Sequence, residues 1–307
     1  MKLVVLDGYT TNPGDLSWSD LEKLGSLDVY PRSTREEAIW RIEDAQGIFV
    51  NAVGVDREMM ARAKNLEYIG VLSTGYNSID LEAAREKGIA VTNVPDYSTE
   101  AVAQHAISLL LELSNQVGIH NQAIQDGKWY EIPDDCFWVK PLTLLAGKSI
   151  GIVGSGKIGT RVGIIAKALG MEVIIYSKDP QGARLADVLS LHCPLTQENR
   201  EMINMEFIGG MKDGAFLINT ARGGLVNEND LAQALKSGML GGAALDVLTV
   251  EPPIKENLSP LIGLDNCIIT PHHAWMPLET RKKLIEISAG NLSAYLGKQI
   301  VNRVDIL

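Results

Sequence analysis

Short runs rich in valine and isoleucine alternate along the chain with longer segments of helical periodicity, and this alternation most constrains the fold. The first series of apolar runs is LVVLD (3–7), GIFVNA (47–52), YIGVLS (68–73) and IAVTNV (89–94). Between them, segments such as REEAIWRIEDA place apolar residues at helical spacing. Buried parallel strands have this continuous apolar character, and helices connect them. The pattern predicts an α/β fold with a parallel sheet.

A second series of apolar runs predicts a second α/β domain. Its members are KSIGIVG, MEVIIYS, ADVLSLHC, GAFLINT, GAALDV and NCIITPH. Before them lies a long amphipathic segment, STEAVAQHAISLLLEL, which predicts a helix with Ser98 or Thr99 as its N-cap. A last helix is predicted at about residues 278–295. The length of 307 residues agrees with two domains.

Composition excludes several classes of protein. The chain has 28 Lys and Arg against 38 Asp and Glu, a net charge of −10, which argues against nucleic acid or an anionic membrane as partner. No apolar run reaches the roughly 18 residues of a membrane span, and the first residues lack a signal-peptide pattern. The scattered cysteines, Cys136, Cys193 and Cys267, form no CxxC pair. We therefore expect a cytoplasmic protein.

The segment GIVGSGKIG predicts a dinucleotide site, because Gly154, Gly156 and Gly159 have the GxGxxG spacing between an apolar strand and a helix. In such a turn the first glycine allows a tight bend and the second lets the backbone approach a pyrophosphate. The third lets the helix pack on the strand. The helix start, with Lys157 and Ile158, would supply N–H groups to the phosphates.

The end of the next strand bears on the choice of cofactor. An NAD site usually has Asp or Glu there to bind the ribose 2′-hydroxyl. Here MEVIIYSKD carries Ser177 and Lys178, a hydroxyl and an ammonium that suit a 2′-phosphate. Asp179 follows, and a shifted register would make it the acidic residue of an NAD site. The sequence favours NADP(H) over NAD(H).

Six motifs together resemble the D-isomer-specific 2-hydroxyacid dehydrogenase family. VLSTGYNSID, GIVGSGKIG, LHCPLT, ARGGLVNE, LDVLTVEP and TPHHAW occur in that family's order and approximate spacing. The start of the chain and the STGYN loop are most similar to its glycerate dehydrogenases, also called hydroxypyruvate reductases. The resemblance implies two doubly wound parallel-sheet domains, a flavodoxin-like substrate domain and a Rossmann dinucleotide-binding domain, with the active site in the cleft between them.

The resemblance also implies domain boundaries and an assembly. The substrate domain would comprise residues 1–96 and 275–307, and the NAD(P)-binding domain residues 97–274. A homodimer would form through the dinucleotide-binding domain.

The resemblance assigns catalytic roles to three residues. Arg222 would bind the carboxylate of a 2-oxo acid, since a guanidinium binds carboxylates in a bidentate manner. His272 would donate a proton to the carbonyl oxygen, and Glu251 would pair with the imidazole. His273 is a second candidate acid, but the TPH match favours His272.

Other residues are expected to line the site. Backbone N–H groups of the first domain would hold the substrate carboxylate in the loop of Thr74, Gly75 and Tyr76. Trp275 would cap the pocket or simply pack. The cofactor would be bordered by His192, Cys193, Pro194, Thr220, Ala221 and Asp246.

No metal site is expected. His192 and Cys193 lack the further ligands that zinc requires. His105 lies on the long amphipathic helix and is interpreted as a packed histidine.

The predicted reaction is reduction of hydroxypyruvate or glyoxylate by NAD(P)H, giving D-glycerate or glycolate. Two alternatives stay open. A dehydrogenase for another D-2-hydroxy acid, such as D-lactate or 3-phosphoglycerate, would share the three catalytic residues. A dinucleotide-sensing corepressor of the same fold could also retain them.

One segment departs from the family pattern. Only SKDPQGARLA separates the end of one strand from the start of ADVLSLHC, where relatives place another strand and helix. Parallel neighbours need a crossover of about a dozen residues or more. Either the sheet is reduced, or a segment adjoining the adenosine ribose is omitted from the sequence. We favour the omission.

Overall fold

The computed structural model describes residues 1–256 and 258–306 and divides into two compact units. The first unit comprises Met1–Ser98 and Trp275–Leu307, and the second comprises Thr99–Ala274. The boundaries expected from the sequence differ from these only at the junction after residue 96.

The first unit contains a five-stranded sheet in the order β2-β1-β3-β4-β5, in which all neighbours are parallel. This is the flavodoxin-like order. Its strands are β1 (Lys2–Val5), β2 (Ser26–Val29), β3 (Gly47–Val50), β4 (Tyr68–Val71) and β5 (Ala90–Thr92). Its first helices are α1 (Ser19–Glu22), α2 (Arg35–Arg41), α3 (Arg57–Arg62) and α4 (Leu81–Lys87).

Side-chain caps start three of these helices. Thr34 forms a capping box with Glu37 at α2, and the carboxylates of Asp56 and Asp80 accept N–H groups of the first turns of α3 and α4. Such caps satisfy N–H groups that have no partner within the helix. Strand β2 escaped the sequence analysis because it is an exposed edge strand without an apolar run.

The second unit contains a six-stranded parallel sheet in the order β11-β10-β9-β8-β6-β7. Its strands are β6 (Ser149–Val153), β7 (Glu172–Ile175), β8 (Val188–Leu191), β9 (Ala215–Asn219), β10 (Leu240–Leu245) and β11 (Cys267–Ile269). Its helices are α5 (Thr99–Asn115), α6 (Val117–Gln125), α7 (Lys157–Ala168), α8 (Pro180–Arg184), α9 (Met205–Ile208) and α10 (Glu228–Ser237), with short 3₁₀ turns at Lys128–Glu131 and Gly223–Leu225.

Apolar side chains cover both faces of each sheet. In the first unit, Val4 and Ile48 belong to one buried cluster, whereas Leu3 and Phe49 belong to another. Successive side chains of a strand point to opposite faces, so the two clusters lie on the two sides of the sheet. Adjacent residues of β9 are divided in the same way between two clusters in the second unit. Both units are therefore doubly wound, as the family resemblance implied.

The second sheet differs from the usual dinucleotide-binding sheet at the edge formed by β7. The common strand order is 3-2-1-4-5-6, in which β7 and β6 would correspond to strands 2 and 1. Within residues 1–256 and 258–306, β7 is the edge strand and no strand occupies the third position.

A five-residue helix closes the short connection between β7 and β8. Asp179 caps this helix, α8, by accepting the N–H of Gly182. Ala183 is fully buried against β6, where a Cβ at Gly151 would lie 2.2 Å from the Ala183 carbonyl oxygen. The connection therefore passes directly over β6. The expectation that this segment cannot hold both a crossover and a further strand agrees with the described residues, in which α8 alone lies between β7 and β8. The omission that we favoured stays a prediction.

The C-terminal helix, α11 (Leu278–Leu296), returns the chain to the first unit. It buries Leu284 and Leu292, and its buried Arg281 pairs with Asp15. Neither this helix nor any other in the described part of the chain is long and apolar enough to cross a membrane.

The close approach of α8 to β6 predicts that Gly→Ala substitutions at two positions change the free energy of unfolding in opposite directions. Gly151→Ala should lower the free energy of unfolding by about 1–3 kcal/mol, because the added Cβ would collide with the Ala183 backbone. Gly290→Ala, at an exposed position of α11 with open space for a Cβ, should raise it by up to about 1 kcal/mol. Urea unfolding of both variants measures the difference. A Gly151→Ala protein as stable as the parent would contradict the close packing.

Candidate active site

The glycine turn between β6 and α7 has the geometry of a phosphate-binding turn. Gly154 has φ +98°, and a Cβ there would lie 2.6 Å from the backbone of His192 and Cys193. At Gly159 a Cβ would lie 2.0 Å from the carbonyl oxygen of Gly154. Gly156 is the N-cap of α7, and of the described atoms none lies within 4 Å of its Cβ position. The open space is therefore at the helix N-terminus, where an anion is favoured.

The residues after β7 divide into two kinds. Ser177 and Lys178 lie in the turn with exposed side chains. The carboxylate of Asp179 instead accepts the N–H of Gly182 at 2.8 Å. The only acidic candidate in this turn is thus engaged in capping α8.

The turn after β8 meets the glycine turn through its backbone. The N–H of His192 donates to the Val153 carbonyl at 2.7 Å, and its ring Nε2 lies 2.8 Å from Ser190 Oγ. Burial lowers the pKa of His192 to about 4 and raises the pKa of the Cys193 thiol. Both side chains are therefore neutral near pH 7, and Pro194 follows them.

Two buried polar atoms near these turns have no partner among the described residues. They are Thr220 Oγ1, after β9, and His192 Nδ1, after β8. Buried polar atoms normally form hydrogen bonds. A polar ligand at the ends of these strands would satisfy them, so the residues present fit a bound dinucleotide.

The side chain of Asn219 shapes the turn that carries Arg222. Asn219 Nδ2 donates to the Arg222 carbonyl at 2.9 Å, and Asn219 Oδ1 accepts the N–H of Ala221 at 3.0 Å. The guanidinium of Arg222 is exposed. We did not single out Asn219 from the sequence, although a polar residue at the end of a buried strand was a usable signal.

His272 and Glu251 form a close ion pair. His272 Nδ1 lies 2.6 Å from Glu251 Oε2, and Glu251 Oε1 accepts the N–H of Leu248 at 2.6 Å. The hydrogen bond to Glu251 raises the pKa of His272. Burial opposes the rise, Asp246 adds to it and the charge of Arg222 reduces it. Because Nδ1 is bound to Glu251, Nε2 is the nitrogen that can serve a substrate.

Asp246 holds the turn that contains His272. It is 1% exposed, and its oxygens accept Thr270 Oγ1 at 2.6 Å and the N–H groups of His273 and Ala274 at 3.1 and 3.0 Å. Burial acts to raise the pKa of Asp246, but hydrogen bonds from His105, Thr270 and Ala274 shift it downward overall. The carboxylate is therefore ionised near neutral pH.

His273 lies beside this pair and does not contact Glu251 in the described structure. Its ring packs edge-on against His105, with centroids 4.9 Å apart. Ligand atoms of His105, Asp246 and His273 lie within 4.8 Å of one another. However, both oxygens of Asp246 already accept N–H and O–H donors, which a metal ion would have to displace.

In the loop of the first unit that is expected to bind substrate, two backbone carbonyls accept hydrogen bonds from side chains. Asn93 Nδ2 donates to the Thr74 carbonyl at 2.8 Å, and Ser73 Oγ donates to the Gly75 carbonyl at 2.5 Å. In a trans peptide the N–H points away from the carbonyl, so the N–H groups of Gly75 and Tyr76 face away from these partners. We did not predict Asn93 as a support of this loop.

Trp275 packs within the first unit. Its ring lies edge-on against Tyr97, with centroids 6.3 Å apart. This contact corresponds to the packing role that we weighed against a pocket cap.

Comparison with known proteins gives one consistent family. Residues 107–274 match the family model described as D-isomer specific 2-hydroxyacid dehydrogenase, NAD binding domain. A hydroxypyruvate reductase of Blautia hydrogenotrophica is 46% identical, over 99% of this chain and 100% of that protein. A glycerate dehydrogenase of Methylorubrum extorquens is 34% identical, over 89% of each chain.

A solved structure agrees with these sequence matches. The TT0316 protein of Thermus thermophilus is 34% identical, with a TM-score of 0.86, over 99% of this chain and 100% of that one. The alignment with the Blautia protein has 323 positions, more than the 307 residues of this chain. That relative therefore has residues that this chain lacks, which agrees with a reduced sheet and equally with an omitted segment.

The ion pair predicts how the charge of His272 responds to substitution. Glu251→Gln should lower the pKa of His272, because the imidazolium loses a carboxylate partner. The protonated ring would then persist only to a lower pH. NMR titration of the histidine ring protons measures this value. Glu172→Gln, an exposed carboxylate on β7, is the control, and an unchanged His272 in Glu251→Gln would contradict the pairing.

Proposed function

Because the chain belongs to the D-isomer specific 2-hydroxyacid dehydrogenase family, we propose that it reduces hydroxypyruvate to D-glycerate, and glyoxylate to glycolate, with a nicotinamide dinucleotide. The 2.6 Å pair of His272 and Glu251 carries the proposal, since it creates a proton donor with a raised pKa. The naming of the 46% identical relative as a hydroxypyruvate reductase supports this choice of substrate.

His272 supplies the proton of the reduction. Its protonated ring donates a proton from Nε2 to the carbonyl oxygen of the 2-oxo acid. The carbonyl carbon accepts a hydride in the same reduction. The bound dinucleotide supplies that hydride. Glu251 stabilises the imidazolium and orients the ring through Nδ1. In the reverse reaction the neutral ring accepts the hydroxyl proton.

Substrate-binding roles are proposed for Arg222 of the second unit and for a loop of the first unit. The guanidinium forms bidentate hydrogen bonds with carboxylates and polarises the neighbouring carbonyl. The proposed loop donors are the N–H groups of Gly75 and Tyr76, with Thr74 preceding them. A small, polar substrate suits such a set of donors.

The residues proposed to hold the dinucleotide lie at the carboxyl ends of consecutive strands. The glycine turn, with Lys157 and Ile158 beginning α7, receives the pyrophosphate. The unpartnered hydroxyl of Thr220 supports a polar contact there. Further contacts are proposed for His192, Cys193, Pro194, Ala221 and Asp246.

We propose NADP(H) as the preferred form of the cofactor. Ser177 and Lys178 offer a hydroxyl and an ammonium to a 2′-phosphate. Asp179, which would favour NAD, instead caps α8. The capping contact supports the register in which Ser177 and Lys178 face the ribose.

We also propose a homodimer formed through the second unit. Residues 117–144 expose a group of large apolar side chains. Within the described chain, no residue of α6, which lies in this segment, is buried. Tyr130 is 94% exposed and Leu144 is 77% exposed. Such a patch marks an interaction surface. Sedimentation equilibrium showing only a 33.4 kDa species would contradict the dimer.

A cytoplasmic location is proposed as well. The cysteines Cys136, Cys193 and Cys267 are free thiols, as is usual in a reducing compartment. Cell fractionation that recovers the native protein outside the cytoplasm would contradict this.

The proposed reaction predicts hydroxypyruvate-dependent loss of NADPH or NADH absorbance. His272→Ala should lower kcat about 10²- to 10⁴-fold, because the proton donor is lost, while dinucleotide binding stays within a few-fold of the parent. The matched control is His273→Ala, which removes the neighbouring ring and should retain far more activity. Failure of the parent protein to oxidise either cofactor would refute the substrate, and an active His272→Ala protein would refute the acid.

The cofactor preference predicts a selective effect at Lys178. Lys178→Glu should weaken NADPH binding about 10- to 100-fold relative to NADH, in line with the roughly 1.5–3 kcal/mol of a hydrogen bond to a charged group. Fluorescence titration with each cofactor measures the ratio. Lys167→Glu makes the same charge change at an exposed position of α7 and should leave the ratio unchanged. A parent protein that binds NADH more tightly would contradict the preference.

A further inference from the structure

His105 is connected to the turn of His272 by a chain of hydrogen bonds. It lies in α5, and its Nε2 is 3.0 Å from Thr270 Oγ1. Thr270 directly follows β11. The His105 side chain is only 18% exposed, so this polar contact is largely removed from water.

The direction of each hydrogen bond follows from chemistry. Asp246 is an acceptor only when ionised, so Thr270 Oγ1 donates to Asp246 Oδ1 at 2.6 Å. The single hydroxyl proton of Thr270 is thereby used. Its oxygen must then accept, and His105 donates from Nε2. His105 Nε2 also lies 3.4 Å from Asp246 Oδ1, which favours the same protonated nitrogen.

The other end of the chain surrounds His272. Asp246 accepts the N–H groups of His273 and Ala274, the two residues after His272, and the hydroxyl of Thr270, two residues before it. His272 has φ +52°, a left-handed conformation that costs a residue with a Cβ about 1–2 kcal/mol. The contacts on both sides must therefore hold this turn in place.

We infer that His105 is a positioning residue, which keeps Asp246 and Thr270 fixed so that the turn presents His272 to Glu251 and the substrate. The inference rests on the proposed function, in which His272 is the proton donor. His105 itself contacts neither Arg222 nor Glu251 in the described structure. The charged and titratable groups that face His272 are Glu251, Asp246 and Arg222, with His273 adjacent.

The network predicts different results for two substitutions of His105. Gln places an amide N–H near the position of Nε2 and should preserve the donor to Thr270. Leu removes the donor, so the turn should loosen and the pKa of His272 should fall toward its ordinary value. We expect His105→Leu to lower kcat for hydroxypyruvate about 10- to 100-fold, as for other displaced catalytic groups, and His105→Gln to recover most of it.

The pKa of His272 is measured by NMR in each folded variant, and this readout needs no substrate. His120→Leu is the matched control, because His120 also joins two segments of the second unit, through Gln116 and Val139. It should lower stability without moving the pKa of His272. Thr270→Val should reproduce the effect of His105→Leu, and the double variant should be no worse than either single one.

Four outcomes would overturn the positioning role. The first is an unchanged pKa of His272 and an unchanged kcat in His105→Leu, and the second is a loss of kcat in His105→Gln equal to that in His105→Leu. The third is a loss of kcat in the double variant with Thr270→Val that equals the sum of the two single losses in free energy. The fourth is a kcat that is restored by added zinc. If the parent protein fails to reduce hydroxypyruvate, the proposed substrate is wrong, but the NMR comparison still tests the network. The two hypotheses are thereby separated.

Discussion

The site in the second unit depends on the parallel direction of its six strands. Parallel strands end at one edge of a sheet, so the turns after β6, β8, β9, β10 and β11 lie on the same edge although their residues are far apart in sequence. Gly154, Thr220, Asp246 and His272 all follow strands in this way. The alternation of strands and helices requires a parallel sheet. It therefore also places these residues at one edge of the sheet.

Within that edge, charge is controlled by burial and by specific partners. Asp246 is buried yet ionised. Hydrogen bonds from Thr270 Oγ1 and from the N–H groups of His273 and Ala274 help to offset the loss of water around its carboxylate. Glu251 and His272 are less buried and form an ion pair. The raised pKa of His272 means that the pair contributes stability at low pH, and that this contribution is lost as the pH rises through the folded-state pKa. The pH range in which the ring carries the proton needed for reduction thus extends toward neutral pH.

The short connection between β7 and β8 depends on close packing against β6. A short helix crosses β6 at a distance that only glycine at position 151 permits. The cap at Asp179 orders the same turn that carries Ser177 and Lys178. One carboxylate thereby starts the helix and leaves the neighbouring hydroxyl and ammonium exposed beside the strand end.

Much of this molecule could be predicted from local sequence. Apolar runs identified ten of the eleven strands in the described part of the chain, because buried parallel strands are continuous in their apolar character. Strand β2 was missed, since an exposed edge strand needs no apolar face. The glycine spacing predicted the turn at Gly154, because a positive φ and a close backbone approach exclude other residues.

Tertiary structure alone decided which polar groups meet. Asn93 and His105 act through contacts with residues far away in sequence, Thr74 and Thr270, and no local pattern records such a contact. The length of SKDPQGARLA showed that a further strand and helix are absent here, whereas only the tertiary structure showed Ala183 packed on Gly151. The sequence by itself determined the buried strands, the family motifs and the candidate acid. Only the folded chain showed that Asp246, Thr270 and His105 support the turn of His272, because hydrogen bonds depend on distance in space and not on separation along the chain.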